Sequence, residues 1–318
     1  MLLKSDRRRR WVLAGIATLA VVGTCVVPNA QADEPSQPSK EKAAALEEVW
    51  RTDFDGEAGS LPSGEDWIID KGHSYPGGPA NWGTGEIQEY TDSPENLQLD
   101  GDGHLKITAL KNGENWTSAR IETQRTDFAA PEGGVMRIEA GLKLPDVAGD
   151  AGLGYWPAFW TLGEAYRGNY HNWPGVGEFD IMENVNGQDT THGVLHCGVN
   201  PGGPCNETTG IGKAHECAES CKSDFREYAL ELDRSGETEE LRWFANGEQF
   251  HSVKESDVDA QTWADATDHG HFILLNLAMG GAFPDGVAGQ KTPTAATQPG
   301  ASMSVDYVSV ETTGGASK

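Results

Sequence analysis

Basic residues are scarce in this chain. Its 318 residues include 24 Lys and Arg against 49 Asp and Glu, a net charge of −25. Residues 1–32 carry five of the basic residues and one acid, so without them the charge reaches −29. So acidic a surface repels nucleic acid, anionic membranes and acidic polysaccharides, and leaves a neutral polymer as the compatible macromolecular partner. Sustained helical periodicity is nearly missing, which argues against a helical architecture. Internal repeats and an interdomain linker are absent. Cysteine is limited to five residues. The spacing of Cys197, Cys205, Cys217 and Cys221 gives no clean pair of C-x2-C knuckles, so zinc is disfavoured despite His196 and His215 nearby.

One long apolar run is present, Trp11 to Val27. It follows the basic stretch Arg7–Arg10 and precedes the small-x-small site Ala30-Gln31-Ala32. This is the pattern of a cleaved signal peptide over residues 1–32 and predicts a secreted, bacterial protein with no membrane anchor after cleavage. Arg8-Arg9-Arg10-Trp11-Val12 loosely resembles a twin-arginine signal. Cys25 leaves with the leader. In an oxidising compartment the other four cysteines read as two disulfides. Of the three pairings that four cysteines allow, the local one is expected, Cys197–Cys205 and Cys217–Cys221. Residues 33–46 are charged, contain proline and are short of large apolar side chains, as a flexible lead-in is. Residues 47–314 read as one domain and 315–318 as a frayed tail.

Within the domain, short runs of β-formers alternate with Gly, Pro, Asn and Asp clusters. His104–Ala109, Ala119–Thr123, Val135–Glu139, Glu227–Leu232, Leu241–Phe244, Phe272–Leu277 and Met303–Val310 all read as strands. The Asn246-Gly247 turn follows one of them, and forty glycines supply many more turns. The expected fold is all-β, a two-sheet antiparallel β-jelly-roll sandwich. The Pro-, Gly- and Thr-rich stretch 284–301 reads as a surface loop before the last strand.

The chemistry concentrates in Gly177-Glu178-Phe179-Asp180-Ile181-Met182-Glu183-Asn184. On a strand, Glu178 and Asp180 share one face, and Phe179 the other. Glu183 lies five positions from Glu178 and points away on a regular strand. A β-bulge near Ile181–Met182 brings it back. Three carboxylates at close range raise one another's pKa values and add no stability. Two carboxyls with separated pKa values are what glycoside hydrolysis requires, and a gap of about 5–5.5 Å between them specifies retention. The competing readings of an acidic strand are a solvated face and a calcium site.

The chain resembles glycoside hydrolase family 16. Glu178, Asp180 and Glu183 match its E-x-D-x-x-E strand, and Trp156-Pro157-Ala158-Phe159-Trp160 its W-P-A-F-W segment. Leu275-Asn276-Leu277-Ala278-Met279-Gly280-Gly281, Val305-Asp306-Tyr307-Val308 and Glu86-Ile87-Gln88-Glu89-Tyr90-Thr91 match further family segments in order. The resemblance implies a jelly-roll with a concave substrate cleft and endo-acting, retaining hydrolysis of a β-linked glycan. By position, Glu178 is the implied nucleophile and Glu183 the acid/base. Asp180 is expected to orient the nucleophile and keep the Glu183 pKa high. The bulged spacing is closer to the laminarinase branch than to the lichenase branch, which points to β-1,3-glucan, mixed-linkage glucan included. The segment 191–207, with Cys197 and Cys205, is unlike the commonest laminarinases. It keeps an endo-β-1,3-galactanase open as the alternative. In Phe225-Arg226-Glu227-Tyr228-Ala229-Leu230-Glu231-Leu232, Arg226 replaces a histidine and Leu232 a tryptophan of the family pattern.

Sugar C–H faces pack on aromatic rings and hydroxyls need polar partners, so Trp156, Trp160, Trp173, His196, Asn276 and Glu86 are the candidate substrate-binding residues, with Gln88 beside Glu86. Each also has a structural reading as core filling or as a satisfied polar group. Asp306 matches a carboxylate that holds a structural calcium in many family members; the chemistry itself requires no cofactor. The expected partner is a neutral β-linked polysaccharide, bound by a monomer. A non-catalytic jelly-roll lectin is the rival from another class, and a calcium-dependent structural protein is a third.

Overall fold

The structure, a computed structural model, describes residues 45–314. The leader, all but the end of the lead-in, and the tail 315–318 lie outside the described residues. Two antiparallel sheets make a jelly-roll sandwich. One has seven strands, in the order Ile211–Glu216, Thr190–His196, Glu178–Asn184, Tyr155–Gly163, His271–Met279, Arg120–Thr123 and Trp67–Asp70. The other has eight, with Val135–Lys143 and Ser302–Thr313 at its centre and Leu46–Thr52 paired to the latter. A three-stranded sheet contains Glu89–Tyr90, Asn115–Ser118 and Leu110–Asn112.

The alternation expected from sequence is the one the sandwich uses. In Val135–Lys143, Met136, Ile138, Ala140 and Leu142 point into the core and their neighbours point out. His271–Met279 is buried along its whole length. Ile273, Leu275, Leu277 and Met279 belong to the intersheet core, whereas Phe272 and Leu274 join a second apolar cluster with Tyr75, Leu162, Tyr166 and Val176. That cluster sits on the sheet's other face, which is why this strand reads as a continuous apolar run.

Several expectations change at the edges of elements. The first strand starts at Leu46, inside the expected lead-in, and pairs with Thr313, so Thr312 and Thr313 are ladder residues. The stretch read as a loop from 284 contains most of a helix, Ala282–Ala288, and a second short helix spans Ala260–Thr267. Pro284 and Gly286 disguise the first of these, because both lower helix propensity; Pro284 falls in the first turn, where its missing N–H costs little.

A contact through the core fixes the strand that carries the acids. Trp243, from the eight-stranded sheet, is fully buried and donates its indole N–H to the Asp180 carbonyl at 2.8 Å. Gly193 makes room for the ring: a Cβ there would lie 2.5 Å from Trp243 Cδ1. Ring and backbone are both buried, and one of them must shift to admit the methyl. Gly193→Ala is therefore expected to destabilise the fold by about 1–3 kcal/mol, read as a lowered denaturant midpoint with an unchanged slope.

Candidate active site

The bulge forms where the spacing requires it. Asp180 pairs with Val194 and Glu183 with His192, so Ile181 and Met182 together oppose Gly193. Both bulge residues are fully buried in the intersheet core, and each contributes about 1.5–3 kcal/mol by leaving water. A one-residue slip would turn this apolar set outward, so the core holds the register. Glu178, Asp180 and Glu183 then share the opposite face. Across one flank they oppose Leu162, Trp160 and Ala158; across the other, His196, Val194 and His192.

Each glutamate receives one indole N–H. Trp173 Nε1 donates to Glu178 Oε2 at 3.1 Å, and Trp156 Nε1 donates to Glu183 Oε1 at 2.8 Å. Burial first, and then the charge of Asp180, raise both carboxyls. Glu178 stands well above its ordinary value of 4.5, with His196 pulling against the rise. Glu183 is pushed up to about 8, with the Trp156 hydrogen bond opposing. At neutral pH Glu183 is a buried carboxylic acid with a proton to give.

His196 lies between two carboxylates, with Nε2 3.3 Å from Asp180 Oδ2 and Nδ1 2.7 Å from Glu207 Oε2. Burial lowers its pKa, but contacts with Asp180 and Glu207 overcome that and set it well above 6.5. Among the described residues, Glu178, Asp180 and His196 are the one trio whose ligand atoms lie within 4.8 Å of one another. Both ring nitrogens already face carboxylates, so the trio is an ion-pair cluster. Calcium, which takes six to eight oxygens, has no suitable donor set there.

Trp160 and Asn276 form the floor beside the acids. Trp160 Nε1 donates to Asn276 Oδ1 at 2.7 Å, and Asn276 Nδ2 donates to the Tyr90 hydroxyl at 3.1 Å. Tyr90 in turn donates to Glu86 Oε2 at 2.8 Å. Trp156, Ala158 and Trp160 share this face, as the alternation indicates. Glu86 is 5% exposed and accepts from Thr84, Gln88 and Tyr90, so its oxygens are held by protein donors and it braces Asn276 through Tyr90. Gln88 is also buried, and neither residue is in a strand.

The chain is similar to known proteins over most of its length. A domain described as "XgeA-like, catalytic GH16 domain" matches residues 109–231. The beta-glucanase of Rhodothermus marinus is 31% identical over 287 residues, which covers 85% of this chain and 86% of that protein. The chain belongs to glycoside hydrolase family 16. Among solved family 16 relatives, the endo-1,3-beta-glucanase of Streptomyces sioyaensis shares 51% identity at a TM-score of 0.82, over 88% of this chain and 99% of that one. The endo-beta-1,3-glucanase of Pyrococcus furiosus shares 30% at a TM-score of 0.66, over 84% and 95%.

The family 16 strand is flanked here by groups that the motif reading passed over. Arg120 is buried, donates to Asp70 Oδ2 and to the Tyr75 hydroxyl, and lies against the Trp82 and Trp160 rings. Tyr75 donates to Glu122 Oε2 at 2.7 Å and stacks on Tyr170 at 4.2 Å. The visible signal was Arg120 and Glu122 at alternate positions of a short strand, on the face opposite Ile121. On the Glu183 side, Phe283 contacts both Trp156 and His192 edge to face. Phe283 lies on the helix that the sequence disguised.

Both disulfides join as expected, Cys197–Cys205 and Cys217–Cys221. The first closes the loop that delivers Glu207 to His196. Asp306 is exposed at a bulge in the last strand, and among the described residues it belongs to no cluster of His, Cys, Asp or Glu side chains. No helix among the described residues is long and apolar enough to cross a membrane.

Proposed function

We propose that this family 16 glycoside hydrolase is a secreted, monomeric endo-β-1,3-glucanase that works with retention of configuration. The observation that carries the chemistry is the bulge, which sets Glu183 on the Glu178 face with a separate indole donor on each carboxyl. The substrate rests on the relatives, which bear the names beta-glucanase and endo-1,3-beta-glucanase. Secretion rests on the leader pattern at 1–32 and on the two disulfides.

The neutral Glu183 acid protonates the glycosidic oxygen while Glu178 attacks the anomeric carbon. The C–O bond breaks, the aglycone leaves with the proton, and an ester to Glu178 forms. Glu183, now a carboxylate, takes a proton from water, which attacks the anomeric carbon and releases Glu178. Trp173 occupies Glu178 Oε2, leaving Oε1 to attack; Trp156 occupies Glu183 Oε1, leaving Oε2 to carry the proton. In the resting site Asp180 disfavours a charged Glu178. Positive charge developing at the anomeric carbon reverses that balance, so the negative cluster is matched to the transition state rather than to the empty cleft.

The test is reducing-end release from soluble β-1,3-glucan, with β-1,3-galactan and β-1,4-glucan beside it. Internal cleavage of β-1,3-glucan above the other two is the expected result. Cleavage of galactan alone would overturn the substrate, and binding without cleavage of any of them would favour a lectin.

A further inference from the structure

Glu207 lies outside the family motif, on the loop whose sequence departs from the commonest laminarinases. Its side chain is fully buried. Oε1 accepts the Cys197 backbone N–H at 2.9 Å, and Oε2 faces His196 Nδ1 at 2.7 Å. The Cys197–Cys205 disulfide closes this loop from both sides of that contact. Among the ion pairs of the described residues, His196 is the one cation that meets Glu207.

The ring's other nitrogen points at Asp180 Oδ2, an oxygen that otherwise lacks a hydrogen-bond partner. A neutral imidazole carries one proton. With that proton on Nδ1, the Nε2 lone pair would face a carboxylate; with it on Nε2, the other lone pair would face Glu207. With both carboxyls ionised, the imidazolium is the form that satisfies both contacts. The charged groups facing it are Glu178, Asp180, Glu183 and Glu207, and the Trp173 ring packs on it at 5.6 Å.

We propose that Glu207 is a positioning residue for the reaction, holding His196 charged and oriented between itself and Asp180, so that the cation favours ionised Glu178. Glu207 touches no substrate; it acts through the ring. The proposal rests on Glu178 being the nucleophile, and the first experiment is read on resting protein so that the two claims fail separately.

In protein labelled with 15N-histidine, both His196 ring nitrogens are expected to show imidazolium shifts at pH 7. A neutral ring at that pH overturns the proposal. Glu207→Gln keeps the volume and an acceptor for the Cys197 N–H, but sets an amide NH2 against Nδ1. It is expected to render His196 neutral at pH 7 and to move the acid limb of the kcat/KM profile on β-1,3-glucan up by about one pH unit. Glu207→Asp is expected to recover part of that shift. Wild-type limbs in folded Glu207→Gln overturn the proposal. Should Glu207→Gln not fold, the wild-type ring shifts and the Glu207→Asp profile decide. A charged His196 in a protein whose Glu178→Ala variant stays active would remove the nucleophile assignment and leave the Glu207–His196 pairing standing.

Discussion

Glu178→Ala is expected to lower kcat on β-1,3-glucan by about four to six orders of magnitude, as removal of a covalent nucleophile does. Its stereochemistry is more diagnostic than its size. Wild-type enzyme is expected to release each new reducing end first as the β anomer, seen by NMR before mutarotation; the α anomer first would mean inversion. In Glu178→Ala the vacated volume lies on the α side of the anomeric carbon. Added azide is expected to attack from there and give an α-glycosyl azide on substrates with a good leaving group. Glu183→Ala predicts the opposite product. Glu178 still forms the ester when the leaving group needs no proton, and azide then displaces it from the β side. If the same azide anomer came from both variants, the division of roles would be wrong.

The second large effect couples activity to stability. The folded pKa of Glu183, about 8, exceeds its ordinary 4.5, so the folded state retains a proton that the unfolded chain has released. For this group stability is greatest below 4.5, declines as pH rises through the interval, and is at its lowest above 8. Glu183→Gln removes the ionisation while its amide oxygen still accepts the Trp156 N–H. We expect it to abolish cleavage of unactivated glucan and to stabilise the protein at pH 8 by of the order of 4 kcal/mol, roughly 8–15 °C in Tm. Little gain is expected at pH 4.5. Equal gains at both pH values would mean that Glu183 titrates normally. The same pKa predicts that wild-type kcat/KM falls as pH passes about 8. Trp156→Phe, which deletes the donor holding the value down, should move that limb further up.

The site was legible where chemistry and strand period share one short segment. A five-residue step between Glu178 and Glu183 requires an irregularity, and the apolar pair Ile181–Met182 shows where the chain tolerates it. The alternation of Trp156, Ala158 and Trp160 was legible for the same reason. The donors that hold Glu86 were not legible, because a carboxylate free for a sugar hydroxyl and one bound by Thr84, Gln88 and Tyr90 read alike in sequence. Glu207 and Phe283 were missed for another reason. They reach the site through a disulfide-closed loop and a helix containing Pro284 and Gly286, and neither has a period that projects its contacts. Arg120 meets Asp70 and Tyr75 from 50 and 45 positions away in sequence, which no local pattern encodes.

The Trp243 indole, seated over Gly193 and bonded to the Asp180 carbonyl, anchors the reactive spacing to the far sheet, whereas Tyr75, Trp82, Tyr170 and Phe283 stand outside the sheets on the segments between strands. We expect glycan choice to follow those segments and cleavage to follow the anchored strand. A chimera that exchanges those segments for a relative's, with Trp243 and Gly193 retained, should inherit the donor's taste in glycans while keeping the recipient's pH profile.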